Sequence, residues 1–356
     1  MSDAFLRSPL FLGVLADAYR ETVPLFVLAE LTDACNERCR HCYVDASGTE
    51  TMSRREWAKL WDQLAGLGAL VLTLSGGEPL LHPEFAGIYA DAHDRRFAIR
   101  LFSNGLLVGD AVLRLLEARK PLAVEVSLYG PSAMVHDAIT GIPGSFERTT
   151  AAVRSLVSLG LAVAVKTVWM RANASCLDEM AALAGSLGAE FRGTTNLTAA
   201  RSGKPEVLDQ RLDLAELLNI MKSAKGISAA ERGRPDDAGP RAASKEGFPC
   251  GAGRITMRIS AAGRVFPCVE FETEAGDARR MSLQEIWRSS PALAALRGLR
   301  NGDAAECVRC DLAADCFRCP AQALKEGGDM RGCYPEALRQ ARVRKLIREE
   351  RDERSL

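Results

Sequence analysis

The sequence predicts an α/β protein, a partial, open (β/α)6 TIM-like barrel followed by a small loop-rich region dominated by cysteine. Two observations carry this. Over the first two-thirds of the 356 residues, short apolar runs bounded by turn residues alternate with helical patterns. After that, regular patterns thin out and seven of the eleven cysteines fall within 250–333.

The predicted strands are Leu25–Leu31, Leu70–Ser75, Ala98–Phe102, Ala123–Leu128, Ala162–Trp169 and Glu190–Thr195. Between them lie helical patterns at Arg54–Leu67, Pro83–Asp94, Asp110–Ala118, Ser145–Leu159 and Leu177–Leu187. Ser53 followed by Glu56 is a capping-box pattern, and Gly68, Gly160 and Gly188 follow three helix ends as C-terminal caps. Such βα units imply a parallel sheet with helices outside it, short of the full eight-unit barrel. Ligand chemistry then belongs at the C-terminal ends of the strands.

Residues 1–23 read as an N-terminal extension with a short amphipathic helix, and 24–224 as the barrel. The Gly-, Ala-, Pro- and charge-rich stretch 225–249 reads as a linker. The cysteine region spans 250–334, with a hairpin at Ile255–Ser260 and Arg264–Cys268 and a helix near Leu283–Trp287. A charged helix, 335–356, follows and is expected to pack through Leu338, Val343 and Ile347.

Lys+Arg and Asp+Glu both number 46, so the net charge is zero and nothing favours nucleic acid or an anionic membrane as partner. No segment approaches the ~20 apolar residues of a spanning helix. The N-terminus lacks a basic n-region and a cleavage site, which predicts a cytoplasmic protein. In a reducing cytosol, clustered cysteines bind metal rather than pair as disulfides.

Cys35, Cys39 and Cys42 lie on the loop directly after the first predicted strand. Three thiolates can hold three irons of a [4Fe–4S] cubane and leave the fourth open to chelate an amino acid. The alternative is a zinc site completed by His41, although zinc more often takes paired CxxC units. With its CxxxCxxC spacing the loop resembles that of the radical S-adenosylmethionine (SAM) superfamily. The resemblance extends over about residues 24–200. Ser75-Gly76-Gly77-Glu78-Pro79 resembles the family's GGEP segment, which implies that this backbone and Glu78 receive the SAM amino group. Physically, consecutive glycines let backbone groups approach a ligand closely. Ser103-Asn104-Gly105 resembles the segment near the SAM ribose, and Ser127 a serine that contacts SAM. His41 stands where relatives carry an aromatic against adenine. Lys166 and Asn173 are further candidates for the same cavity. All these motifs fall on one rim.

The second cysteine region reads Cys250-x12-Gly263-x4-Cys268, then Cys307-x2-Cys310-x5-Cys316-x2-Cys319, then Cys333. It resembles the SPASM extension of radical SAM peptide and protein maturases, departing from it in having two rather than three residues between Cys316 and Cys319. The resemblance implies two auxiliary iron–sulfur clusters, [4Fe–4S] in type. Cys307, Cys310, Cys316 and Cys333 would hold one. Cys250, Cys268 and Cys319 would hold the other, with a fourth ligand unassigned. A four-cysteine zinc knuckle from Cys307 to Cys319 is the alternative. Cys176 reads as a small buried residue.

The resemblance implies reductive cleavage of SAM to a 5′-deoxyadenosyl radical. The radical would abstract hydrogen from a side chain of a ribosomal peptide or protein, giving a crosslink or an oxidised residue. It also implies an electron donor such as flavodoxin or ferredoxin. The stretch before Pro24 is too short for the winged-helix peptide-recognition domain of many relatives, so a separate recognition protein is expected. Two other readings stay open: the same cofactor acting on a small molecule such as a tetrapyrrole, and a non-catalytic zinc-binding adaptor. The sequence singles out no general acid or base.

Overall fold

A computed structural model of the chain describes residues 8–44, 51–203, 205–223 and 246–353. Most of the expected linker, residues 224–245, lies outside the described residues, as does the end of the last helix, 354–356.

Among the described residues nine strands form one sheet: β1 Phe26–Glu30, β2 Val71–Ser75, β3 Ala98–Ser103, β4 Ala123–Ser127, β5 Val163–Val168, β6 Glu190–Thr194, β7 Thr256–Ile259, β8 Arg264–Phe266 and β9 Gly276–Asp277. The order is β6-β5-β4-β3-β2-β1-β7-β8-β9, so the sheet is open, with β6 and β9 at its edges. β1 to β6 are parallel neighbours in sequence order. The expected helices occur as Arg54–Gly66, Phe85–Asp94, Asp110–Ala118, Ser145–Ser158 and Leu177–Ser186. The Ser53–Glu56 capping box is formed. The cysteine region holds three short helices that were not anticipated, Pro291–Gly298, Ala305–Val308 and Pro320–Gly327, and the barrel region two, Ala133–Thr140 and Leu214–Lys222. The helix Leu214–Lys222 opens on an Asp213–Glu216 capping box, a signal the sequence did carry.

The hairpin is not a separate unit. β7 pairs parallel with β1, from Phe26 opposite Thr256 to Ala29 opposite Ile259, and the β7–β8 and β8–β9 pairings are antiparallel. The cysteine region thus continues the barrel sheet. The helix Pro9–Glu21 closes the lower end of this junction, where Ala18, Leu25 and Ile255 pack together.

Alternation along each strand assigns the two faces. Leu72, Leu74, Ile99, Leu101, Val124, Val126 and Val165 face the helices, against Trp57, Trp61, Leu64, Ile88 and Leu156. The other, concave face is not filled with branched aliphatics as a closed barrel is. It carries charge. Glu125 on β4 is buried among Arg100, Arg192 (3.0 Å) and Lys166 (3.5 Å), and Lys166 also lies 3.9 Å over the Phe102 ring. At the β1–β7 seam, Glu30 pairs with Arg201 and with Arg258 (3.3 Å), and Glu272 pairs with both arginines.

The helix Pro335–Glu353 packs through Ala337, Ala341 and Val343, with Ile347 beside them. Leu338 is a correction: it is half-buried at the flank, because the buried stripe runs through the two alanines.

Glu30 and Arg258 are each 1% exposed. Replacing Glu30 by Ala leaves two arginines facing Glu272 alone, and a broken buried pair costs about 3–5 kcal/mol. Glu30→Ala is therefore expected to lower stability by that amount in denaturant unfolding.

Candidate active site

Cys35, Cys39 and Cys42 lie on the loop at the top of β1. The loop is held from outside by backbone bonds from Arg38 N to Thr140 O (2.8 Å) and Arg40 N to Ile139 O (3.1 Å), the end of the helix Ala133–Thr140. Burial pushes the Cys35 thiol up to about 11, and Cys39 is raised by burial and by the Glu37 carboxylate. Without a cation these groups stay protonated. A bound metal's charge reverses that and releases protons.

Among the described residues no three Cys, His, Asp or Glu side chains converge on one point, as ligands of a single ion must. A cubane instead gives each thiolate its own iron. Beside the thiols, His41 Nδ1 and Glu37 Oε1 are buried without a hydrogen-bond partner, a demand that a bound polar ligand would meet. The cradle fits an iron–sulfur cluster and a polar ligand beside it.

The two glycines at the end of β2 have a role the sequence did not reveal. A Cβ on Gly76 would stand 2.3 Å from Thr32 O, and one on Gly77 would stand 2.3 Å from Ala34 O. Gly77 N donates to Thr32 O (2.7 Å) and Glu78 N to Ala34 O (2.8 Å). The glycines therefore let β2 close on the residues that lead into Cys35. Pro79 opens a turn of 3-10 helix directly behind them.

Glu78 is fully buried. Its carboxylate accepts from Ser103 Oγ (2.9 Å), Asn104 N (2.7 Å) and Leu80 N (3.1 Å). Burial raises it to about 7 against the pull of those donors. Three of roughly four acceptor positions are thus occupied by the rim itself. Asn104 Nδ2 in turn donates to Asn36 Oδ1 in the cysteine loop (2.7 Å). Asn36, Asn104, Ser103 and Glu78 form one network across the tops of β1, β2 and β3.

Ser127 ends β4 at the register of Lys166. Two residues on, Tyr129 meets His41 edge to face, with ring centroids 4.4 Å apart. His136 stacks on the far side of this pair, and its Nδ1 accepts from Tyr129 N (3.0 Å). Burial holds His41 and His136 down at about 4. Asn173 does not face the cavity: Nδ2 donates to Tyr129 O and Val168 O and Oδ1 accepts from Met170 N, so it braces two strand ends. Lys166 belongs to the Glu125 network on the concave face. Sequence reading missed Tyr129, His136 and Glu125. A lone charge in Ala123–Ser127, an otherwise apolar strand, was the signal for Glu125.

The later cysteines gather in two groups. Cys250, Cys268 and Cys319 pack on one apolar cluster with Phe271, Leu296 and Ala321. Backbone N–H groups of Glu270 and Phe271 donate to the Cys268 sulfur, while burial pushes that thiol up to about 12. Cys316 lies within electrostatic reach of Cys307, Cys310 and Cys333, and the Arg344 cation opposes its burial. The helix Pro320–Gly327, starting at Cys319, and Tyr334 separate the groups, with Tyr334 packed beside both Cys316 and Cys319. Cys176 is half-buried against the main core, away from both.

Gly76 sits at φ +142°. Gly76→Ala is expected to cost at least about 1–3 kcal/mol in strain and contact, read as a lower unfolding midpoint together with iron lost on gel filtration. His136 titrates at 6.5 unfolded and about 4 folded. Its contribution is full above pH 6.5 and is lost as pH falls through 4, since an imidazolium cannot accept from Tyr129 N. His136→Asn, which keeps an acceptor, should flatten the stability–pH curve between those limits.

The Radical SAM superfamily profile matches residues 29–184, and that of an iron–sulfur cluster-binding domain, SPASM, matches 250–320. Mycofactocin maturase MftC of Mycobacterium tuberculosis is 29% identical over 331 residues, covering 88% of this chain and 83% of that one. PqqA peptide cyclase of Granulibacter bethesdensis is 27% identical, covering 86% and 85%. AdoMet-dependent heme synthase of Methanosarcina barkeri is 26% identical, covering 86% and 94%. The fold matches Streptococcus suis SuiB bound to S-adenosylmethionine, with a TM-score of 0.69 at 16% identity over 93% of this chain and 83% of that one. The cysteine loop on β1, the rim over β1 to β3 and the sheet-joined cysteine region thus have one common account: the chain belongs to the radical SAM superfamily and carries a C-terminal SPASM iron–sulfur domain.

Proposed function

We propose that this enzyme cleaves SAM reductively and abstracts hydrogen from a side chain of a ribosomal peptide or protein, forming a crosslink or an oxidised residue. The observation that carries this reading is similarity over 86–88% of this chain to two kinds of peptide maturase, mycofactocin maturase and PqqA peptide cyclase. A tetrapyrrole or other small molecule is the second reading, favoured by the AdoMet-dependent heme synthases at 25–26% identity.

Cys35, Cys39 and Cys42 would hold the [4Fe–4S] cluster whose open iron binds SAM. When bound, the reduced cluster would supply one electron to the SAM sulfonium, whose C5′–S bond would break to give methionine and the 5′-deoxyadenosyl radical that takes the substrate hydrogen. The protein's part is to orient and shield. The backbone of Gly76, Gly77, Glu78 and Pro79, with Ser103 and Asn104, forms one wall of the SAM pocket. His41, steadied by Tyr129, would offer its ring to adenine, and Ser127 would contact SAM. The SPASM cysteines would hold two auxiliary clusters, one on Cys307, Cys310, Cys316 and Cys333 and one on Cys250, Cys268 and Cys319. Fusion of β7 to β1 sets the three sites in one frame and supports a cavity closed to water between them. A flavodoxin or ferredoxin supplies the electron, and a separate small protein presents the peptide. We place the domain limits at 24–224 and 250–334, with 225–249 as the linker and 335–356 as a closing helix.

Mass spectrometry of a candidate precursor co-expressed with the enzyme tests the substrate class. A mass change on the peptide is expected, and turnover of a porphyrin precursor with an unmodified peptide would favour the second reading. Cys307→Ala is expected to retain part of the SAM cleavage and lose the product. A minimal core peptide modified as fast as the full precursor would remove the recognition protein from the account.

A further inference from the structure

The group of Cys250, Cys268 and Cys319 offers three sulfurs where an iron–sulfur cubane has four irons. The chain itself narrows the source of a fourth ligand. Its four histidines, at 41, 82, 93 and 136, all lie in the barrel. Cys176 is packed in the main core, and the other cysteines belong to the other two groups. The Tyr334 hydroxyl accepts from Cys319 N (3.3 Å). Among the nearby carboxylates, Glu246 is solvent-exposed and Glu272 is ion-paired to Arg201 and Arg258.

Glu270 differs. It stands two residues after Cys268, whose sulfur accepts from the Glu270 backbone N–H. Its carboxylate interacts with the Cys319 sulfur. Oε1 accepts from Asn196 Nδ2 (3.2 Å), and Asn196 Oδ1 is fixed by Gln322 Nε2, on the helix that begins at Cys319. Oε2 is buried with no hydrogen-bond partner, and its nearest cation, Lys325 Nζ, is 3.9 Å away. A buried carboxylate oxygen left open at a group of three thiols is an unmet valence of the kind an iron fills.

Resting on the SPASM assignment, we propose that Glu270 is the fourth ligand of the cluster held by Cys250, Cys268 and Cys319. Asn196 and Gln322 orient Oε1 so that Oε2 meets the iron. A carboxylate is a harder, more weakly held ligand for iron than a thiolate.

The test uses full-length protein reconstituted anaerobically, with Cys35, Cys39 and Cys42 all changed to Ala to silence the first cluster. Iron, sulfide and the electron paramagnetic resonance of the reduced clusters are followed during titration with cyanide, a ligand for open iron. Glu270→Ala should respond at a cyanide concentration at least tenfold lower than the parent. Glu270→Cys should keep the parent's iron content, change the g values of one cluster and resist cyanide. Asn196→Ala, which removes only the brace, should stay within a few-fold of the parent. Equal cyanide response in the parent and Glu270→Ala would overturn the proposal, as would g values unchanged in Glu270→Cys. A parent without iron and sulfide would overturn the SPASM cluster reading itself, and this ligand with it.

Discussion

Strand β1 is hydrogen-bonded along both edges, to β2 on one side and to β7 on the other. Everything the molecule does chemically hangs on that double pairing. The strand carries the cysteine loop at its C-terminal end and Glu30 on its concave face. β2 brings the glycine pair and Glu78 onto the loop, and β7 brings Arg258 and, beyond the hairpin, Cys268. A parallel ladder fixes register tightly when one face is buried, since a one-residue slip would turn every side chain over. The distance between the Cys35 loop and the three-thiol group is therefore set by a sheet.

The charges on the concave face follow from the barrel being open. A closed barrel fills its interior with branched aliphatics. Here the interior holds Glu125 among three cations and, across from it, Glu30 and Glu272 with two arginines. Such pairs add little net stability compared with an apolar core, but each punishes misplacement severely. They suit a cavity whose walls need fixed positions and polar surface. The thiols show the opposite logic. Burial raises Cys35, Cys268 and Cys319 and, against the pull of Arg344, Cys316, so these thiols stay protonated without a metal and metal loading is coupled to proton release.

The barrel was legible in the sequence because its signals are local. Short apolar runs, a capping box and helix-ending glycines place six strands and five helices within a residue or two of where they lie. The pairing of β7 with β1 was not legible, since residues more than 200 apart share no pattern that reports their contact. The helix Ala133–Thr140 escaped notice because Gly130, Pro131, Gly141 and Gly144 crowd both ends and leave barely two turns of periodicity. Gly76 and Gly77 were read as making room for a ligand; that they also make room for Thr32 and Ala34 was not legible. Spacing along the chain marked which cysteines matter. Only the three-dimensional arrangement shows Glu270 beside one group of them.

The central claim is that the Cys35, Cys39 and Cys42 loop holds a redox-active iron–sulfur cluster that binds SAM. Anaerobic purification, metal and sulfide analysis, and incubation with SAM and a strong reductant test it directly. The account predicts brown protein containing iron and acid-labile sulfide that releases 5′-deoxyadenosine, an activity abolished when the three cysteines are changed to Ala. Colourless protein with stoichiometric zinc and intact SAM would contradict it.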